Sequence, residues 1–234
     1  MADFDATRQV LSVKLVYYGP ALSGKTTNLT QLHDMLSPAN RSELMVLETQ
    51  NDRTLFFDLL PIGIRTQSGM LVKIKLYTVP GQVQHDSTRK AILSRADGVV
   101  FVADSQNNQS TNNAESFQNL AGNLAILGID AEQFPLVIQY NKRDLPGIVT
   151  EADINQRWQA TPWYPVVYAS ALRGEGVRET LRQLLAASYV LLDDEYQLRE
   201  KFQLSLQQFL GVTDAIGSSH TGSYGEGKCH EGSA

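Results

Sequence analysis

Residues 19–26 read Gly-Pro-Ala-Leu-Ser-Gly-Lys-Thr, which fits the phosphate-binding pattern G-x-x-x-x-G-K-[ST]. A loop of this kind wraps backbone N–H groups around a polyphosphate. It then enters a helix whose positive end faces the same anion. Gly19 and Gly24 permit turns that a side chain would block, and Pro20, Ala21, Leu22 and Ser23 supply the backbone between them. Lys25 is placed to reach the β- and γ-phosphates, which makes it a candidate for catalysis as well as binding. Thr26 is placed to put its hydroxyl on Mg²⁺, and Thr27 completes the candidate phosphate set. A Gly-rich strand-to-helix turn without a ligand is the plainer reading. The Gly-Lys-Thr ending and both flanks argue against it. The loop alone specifies a nucleotide and leaves the base open.

Asn141-Lys142-Arg143-Asp144 narrows the base. A carboxylate at Asp144 accepts hydrogen bonds from guanine N1–H and the 2-amino group. Adenine lacks these donors and would leave that carboxylate unpaired, a mismatch that discriminates strongly. Asn141 would bind the base edge and tie back to the phosphate loop, and the aliphatic stem of Lys142 would cover the base face. Ser170, Ala171 and Leu172 would offer backbone N–H groups to the 6-oxo group. A turn in which Asp144 caps a connection before Pro146 is the alternative.

These residues need elements that bring them to one place. Leu11–Tyr18 reads as a strand and Thr26–Leu36 as a helix. Leu44–Glu48 and Leu55–Arg65 read as extended, and Leu71–Val79 alternates apolar and polar residues like a half-buried strand. Gly98–Asp104 is a continuous apolar run, as a strand buried on both faces requires, and Phe134–Tyr140 reads as another buried strand. Ala114–Leu127 and Val177–Leu192 have helical spacing, and Val166–Ala169 is a short strand. This alternation predicts an α/β fold: an open, mostly parallel sheet with helices on both faces. Ligands in such sheets bind beyond the carboxyl ends of the strands, and each motif follows one of those strands.

The bulk composition agrees. With 234 residues, 42% hydrophobic and 19% charged, the chain suits one well-cored domain. A net charge of −5 with no Lys/Arg run argues against nucleic acid as the partner. Cys229 is the single cysteine, so no disulfide framework is expected and a cytoplasmic setting follows. No apolar run is long enough to span a membrane, and the segment MADFDATRQ does not read as a secretory leader. Ala2 stands where myristoylation needs glycine.

Taken together, residues 19–26, 80–82, 141–144 and 170–172 resemble the motif set of Ras-superfamily small GTPases. The stretches VYYGPALSGKTTNL, RTLFFDLLP, LYTVPGQV, DGVVFVADS and VIQYNKRDLP are more similar still to the bacterial MglA type, the polarity and gliding-motility GTPases. The likeness implies a P-loop G domain over 8–192 that binds GTP or GDP with Mg²⁺. It implies that Gly81 senses the γ-phosphate through its N–H and that Gln82 orients the attacking water. Thr54 resembles the switch threonine that closes over Mg²⁺, so Thr26 and Thr54 form the implied metal set. Arg53 resembles an arginine finger carried in the same chain; a plain surface arginine is the alternative. Thr78 stands where most small GTPases place an aspartate behind Mg²⁺, as it does across the MglA type. Asp58 and Asp52 are the candidate substitutes. The stretch between the first helix and Leu71 is longer than a minimal domain needs, and the resemblance implies an extra strand there that moves with the nucleotide. The resemblance also implies slow hydrolysis, a homodimeric Roadblock-fold activator of the MglB kind, effector proteins and concentration at a cell pole.

Residues 193–210 read as a helical extension, with Leu198, Phe202, Leu206 and Phe209 at helical spacing and Asp193, Asp194 and Glu195 at its N-terminus. It packs on its own domain or serves self-association or a partner. Residues 211–234 read as a disordered tail. Two rival functions compete with the switch. One is a nucleotide-dependent binding module with negligible turnover, and the other is a P-loop kinase, against which Asn141–Asp144 argues.

Overall fold

A computed structural model describes residues 2–36, 45–47, 57–66, 69–81 and 86–214. Eight strands form one sheet, in the order β3 (Met45–Leu47), β4 (Phe57–Arg65), β5 (Leu71–Thr78), β2 (Val10–Tyr18), β6 (Gly98–Asp104), β7 (Leu136–Asn141) and β8 (Val167–Tyr168). β1 (Asp3–Asp5) pairs antiparallel with the start of β2. The run β5-β2-β6-β7-β8 is parallel throughout, whereas β3 and β4 are antiparallel. The sheet is therefore mostly parallel, as the alternation of elements predicts.

Strand patterning fixes which helices lie on which face. Leu11, Val13, Leu15 and Tyr17 point to one side of β2, while Val16 and Tyr18 point to the other. The first side is covered by α1 (Lys25–Met35) and α5 (Val177–Tyr196), through Leu29, Leu32, Leu181 and Leu185. The second side is covered by α2 (Asp86–Leu93), α3 (Ser110–Ile126) and α4 (Glu151–Trp158), through Leu93, Leu120, Leu124 and Ile154. β6 and β7 are buried at every position, which is why β6 reads as a nearly unbroken apolar run, while β7 buries the polar Gln139 and Asn141 as well. No helix among the described residues is long and apolar enough to cross a membrane.

The C-terminal extension differs from its sequence reading. Asp193, Asp194 and Glu195 do not start a helix; they lie in the last turns of α5, which runs to Tyr196. Gln197 and Gln203 adopt left-handed backbone angles, with φ of 55° and 52°. These breaks divide the extension into α6 (Leu198–Phe202) and α7 (Leu206–Asp214). α7 also makes residues 211–214 helical, correcting the start of the expected tail. Residues 215–234 lie outside the described set. Leu198, Leu204, Phe209 and Leu210 are buried in the same core as Leu60 and Ile62 of β4. The Tyr189 hydroxyl donates to Leu204 O at 2.7 Å, which pins the turn between the two short helices.

Candidate functional site

Parallel pairing aligns the carboxyl ends of five strands. Tyr17 pairs with Thr78, Tyr18 with Phe101, Asp104 with Asn141, and Tyr140 with Tyr168. The loops that follow these strands therefore leave one edge of the sheet, and they carry the motifs at 19–26, 79–81, 142–144 and 170–172. The chain connections run in opposite directions from β2 and β6, and the crevice between two such strands is where α/β sheets bind ligands.

The phosphate loop is built by two glycines that nothing else can replace. Gly19 has φ of 146°, and a Cβ there would overlap the Val102 carbonyl. Gly24, with φ of 98°, is the N-cap of α1, and a Cβ there would overlap the Asn141 side chain. Leu22 also adopts a left-handed conformation, φ 61°, and its side chain is largely exposed. The first turn of α1 holds no acidic residue, so the positive end of its dipole is left to an external anion. Lys25 is buried, and its Nζ donates to the Gly19 carbonyl at 3.0 Å and the Pro20 carbonyl at 2.7 Å. Its ammonium thus lies inside the turn of the loop. Beneath it, Asn28 donates to Gly24 O at 2.9 Å and to Gln139 Oε1 at 3.0 Å, while Gln139 donates to Thr180 Oγ1 at 2.8 Å. This buried network locks α1 to β7 and α5.

Asn141 joins the phosphate loop to the base-side loops. Its Nδ2 donates to Ser23 O, and its Oδ1 accepts from the Ala171 amide, both at 2.8 Å. Lys142 has φ of 67°, and its Nζ donates to Asp104 Oδ2 at 2.6 Å. Asp104 itself is buried, and Asn113 braces its backbone N–H and carbonyl at 3.0 and 2.8 Å. Sequence reasoning overlooked Asp104, although a carboxylate closing the apolar run GVVFVAD was a readable signal. The Ser170 hydroxyl donates to Asp144 Oδ1 at 2.6 Å. That bond, with smaller help from Arg173 and Lys142, holds the Asp144 carboxyl below its usual range.

One expectation changes here. The amide of Ser170 donates to Glu175 O at 3.0 Å and that of Ala171 to Asn141, so two of the three N–H groups expected to face a base are engaged within the protein. Leu172 presents an exposed side chain beside them.

Gly81 packs on the phosphate loop so closely that a Cβ would overlap the Ala21 backbone. Thr78, at the end of β5, is buried. Thr26 lies in the first turn of α1 with its side chain exposed, and Thr27 follows it. Asp58 lies in β4, where it pairs with Val46 of β3. Arg53, Thr54, Asp52 and Gln82 lie outside the described residues.

A mostly parallel sheet with a glycine-built phosphate loop at the carboxyl ends of its strands has the architecture of P-loop GTPases. The chain belongs to the ADP-ribosylation factor family of small GTPases, whose sequence profile matches residues 5–188. It is 44% identical over 182 residues to the mutual gliding-motility protein MglA of Myxococcus xanthus (strain DK1622), covering 78% of this chain and 93% of that protein. It is also 27% identical over 183 residues to ADP-ribosylation factor-like protein 6 of Caenorhabditis elegans, covering 74% and 85% of the two chains. The protein of the same name from Caenorhabditis briggsae is 28% identical over 176 residues, covering 74% and 84%. The chain is thus a guanine-nucleotide-binding switch that hydrolyses GTP; a binding module without turnover is not favoured.

Proposed function

We propose that this GTPase is a polarity and motility switch of the MglA type. The 44% identity to the gliding-motility protein over nearly its whole length supports this reading. In it, Gly19 to Thr27 cradle the phosphates, and Lys25 neutralises charge on the β- and γ-phosphates. The two loop glycines allow the tight turn a phosphate cradle needs, since a Cβ on Gly19 would meet the Val102 carbonyl and one on Gly24 the Asn141 amide. Asp144 reads guanine, Ser170 orients that carboxylate, and Asn141 and Lys142 complete the base end. Ala171 and Leu172 close its edge.

Mg²⁺ suits hard oxygen donors such as the Thr26 hydroxyl. Thr26 and Thr54 would hold it. With neutral Thr78 at the usual aspartate position, Asp58 or Asp52 would supply the missing charge. The ion would stabilise charge on the phosphate oxygens. Gly81 senses the γ-phosphate, Gln82 orients water, and Arg53 offsets charge developing on the phosphoryl oxygens. A Roadblock-fold homodimer of the MglB kind accelerates hydrolysis by repositioning Arg53 and Gln82, effectors read the GTP form, and the protein concentrates at a cell pole.

The observation that carries this reading is the convergence of four motif loops at the carboxyl ends of parallel strands. Single-turnover GTP hydrolysis with and without such an activator tests it. Activation is expected in the native chain and lost in both Gln82→Ala and Arg53→Ala. Full activation of Arg53→Ala would remove the arginine from the mechanism. Unchanged Mg²⁺ affinity in Asp58→Ala and Asp52→Ala would remove the substitute carboxylate.

A further inference from the structure

Arg89 is the largest of the fully buried side chains among the described residues, and none of the nucleotide motifs contains it. It projects from α2. Its Nε donates to Pro80 O at 2.9 Å and its Nη2 to Gly81 O at 2.5 Å. Its Nη1 donates to Asn119 Oδ1 at 2.7 Å and to the Tyr18 hydroxyl at 3.4 Å, with the guanidinium over the Tyr18 ring at 5.2 Å. A buried charge persists only when it is hydrogen-bonded and countered. The counter-charge is one side chain away. Asn119 Nδ2 donates to Asp86 Oδ1 at 3.0 Å, and Asp86 also pairs with Lys90 at 2.7 Å.

The two carbonyls held by Arg89 belong to consecutive peptide units. The Pro80 carbonyl shares its plane with the Gly81 N–H, and the Gly81 carbonyl begins the unit that leads into residue 82. In a trans peptide, C=O and N–H point in opposite directions. Drawing the Pro80 carbonyl toward α2 therefore turns the Gly81 N–H away from α2. The other neighbour of Gly81 is the phosphate loop at Ala21.

We propose that Arg89 is a positioning residue for GTP hydrolysis. Its planar fork holds the Pro80 and Gly81 carbonyls and so fixes the peptide plane that aims the Gly81 N–H at the terminal phosphate. This rests on the reading of Gly81 given above. A lysine cannot replace the fork, because one ammonium cannot hold two carbonyls in a fixed plane.

The test uses the full chain labelled with ¹⁵N-glycine, as native protein, Arg89→Lys and Asn119→Ala. Three quantities are measured: single-turnover GTP hydrolysis, GDP affinity, and the shift of the Gly81 amide resonance between GDP and a non-hydrolysable GTP analogue. Arg89→Lys is expected to hydrolyse GTP at least tenfold more slowly, with GDP affinity within twofold of native and the Gly81 shift at least halved. Asn119→Ala keeps the guanidinium but removes its anchor on α3. It is expected to slow hydrolysis threefold or more at native GDP affinity, and it carries the test if Arg89→Lys does not fold. Native hydrolysis in the folded variants overturns the proposal. GDP affinity falling in parallel with the rate also overturns it, since that is general loosening. A Gly81 amide in native protein that ignores the γ-phosphate overturns the reading of Gly81 and this proposal with it. A native shift that persists in Arg89→Lys overturns the proposal alone.

Discussion

The side chain of Asn141 donates to the Ser23 carbonyl at 2.8 Å, so the strand that carries the base-side residues is tied directly to the phosphate loop. Its other end accepts the Ala171 amide, and Ser23 and Ala171 are both buried. Replacing Asn141 with Ala leaves two buried groups without partners. Each orphan costs about 1–3 kcal/mol. The expected outcome is a stability loss of at least ~2 kcal/mol in urea unfolding. GTP and GDP affinities should fall by one common factor, about 30-fold if the whole of that energy is lost from binding. A loss confined to GTP would show that Asn141 is not a strut between the loops.

The Ser170 hydroxyl donates to Asp144 and lowers the pH at which that carboxylate is protonated, which would set the acid limit of base recognition by Asp144. A depressed carboxylate keeps its acceptor capacity above the ordinary carboxylate range and loses it as pH falls through the lowered value. Ser170→Ala should therefore move the acid limb of GTP binding to higher pH, measured by nucleotide titration from neutrality downward. Asp144→Asn exchanges an acceptor for a donor. GTP affinity should fall 100-fold or more, and xanthosine triphosphate, whose 2-oxo group accepts, should bind better than GTP. Unaltered base preference would take Asp144 out of the base site.

A Cβ on Gly24 would meet the Asn141 side chain, so the two positions are coupled. Gly24→Ala should abolish measurable nucleotide binding. The double variant Gly24→Ala, Asn141→Ala removes the clashing group and should recover part of that loss, with positive φ still unfavourable for alanine. Strict additivity in the cycle would show that the contact does not decide the effect.

Lys90, Asn119 and Asn123 hold the Asp86 carboxyl at about 2, against an ordinary value of 3.8. The full shift corresponds to roughly 2 kcal/mol, and solvent screening of this one-third-exposed group reduces it to about 1 kcal/mol. The sign follows from the depression: the contribution is complete above about pH 4 and is lost as pH falls toward 2. Asp86→Asn should lower stability at pH 7 by about 1 kcal/mol and flatten the acid side of the stability profile over that window. An unchanged acid profile would exclude Asp86 as its source.

Phe209 of α7 is fully buried in the core shared with β4. Phe209→Ala should cost about 3–5 kcal/mol in unfolding free energy. Because the buried face of the extension is turned to its own domain, the oligomeric state by analytical ultracentrifugation should stay as in the native chain. A change in assembly without a change in stability would restore the self-association reading of 193–210.

Local pattern made much of this legible. Leu71–Thr78 and Gly98–Asp104 announced their exposure through alternation and unbroken apolarity. The glycine spacing of 19–26 carried its own turn. Helix α2 was not legible, because DSTRKAIL mixes charges as any surface helix does. Nothing in that string distinguishes Arg89, buried under Pro80 and Gly81, from an arginine in water. The extension was misread for a related reason: helical spacing continues through Gln197 and Gln203, and only their left-handed backbone breaks the helix.

By itself the sequence determined the parts that depend on residue type at fixed local spacing: the glycine-built phosphate turn, the alternating strands and helices, and the family. Tertiary structure decided which of those groups are held and by what. Asn141 bridging Ser23 and Ala171, Lys142 paired with Asp104, and Arg89 gripping two carbonyls are contacts between residues far apart in the chain. Their partners are set by strand register and helix packing, which no local window of sequence contains.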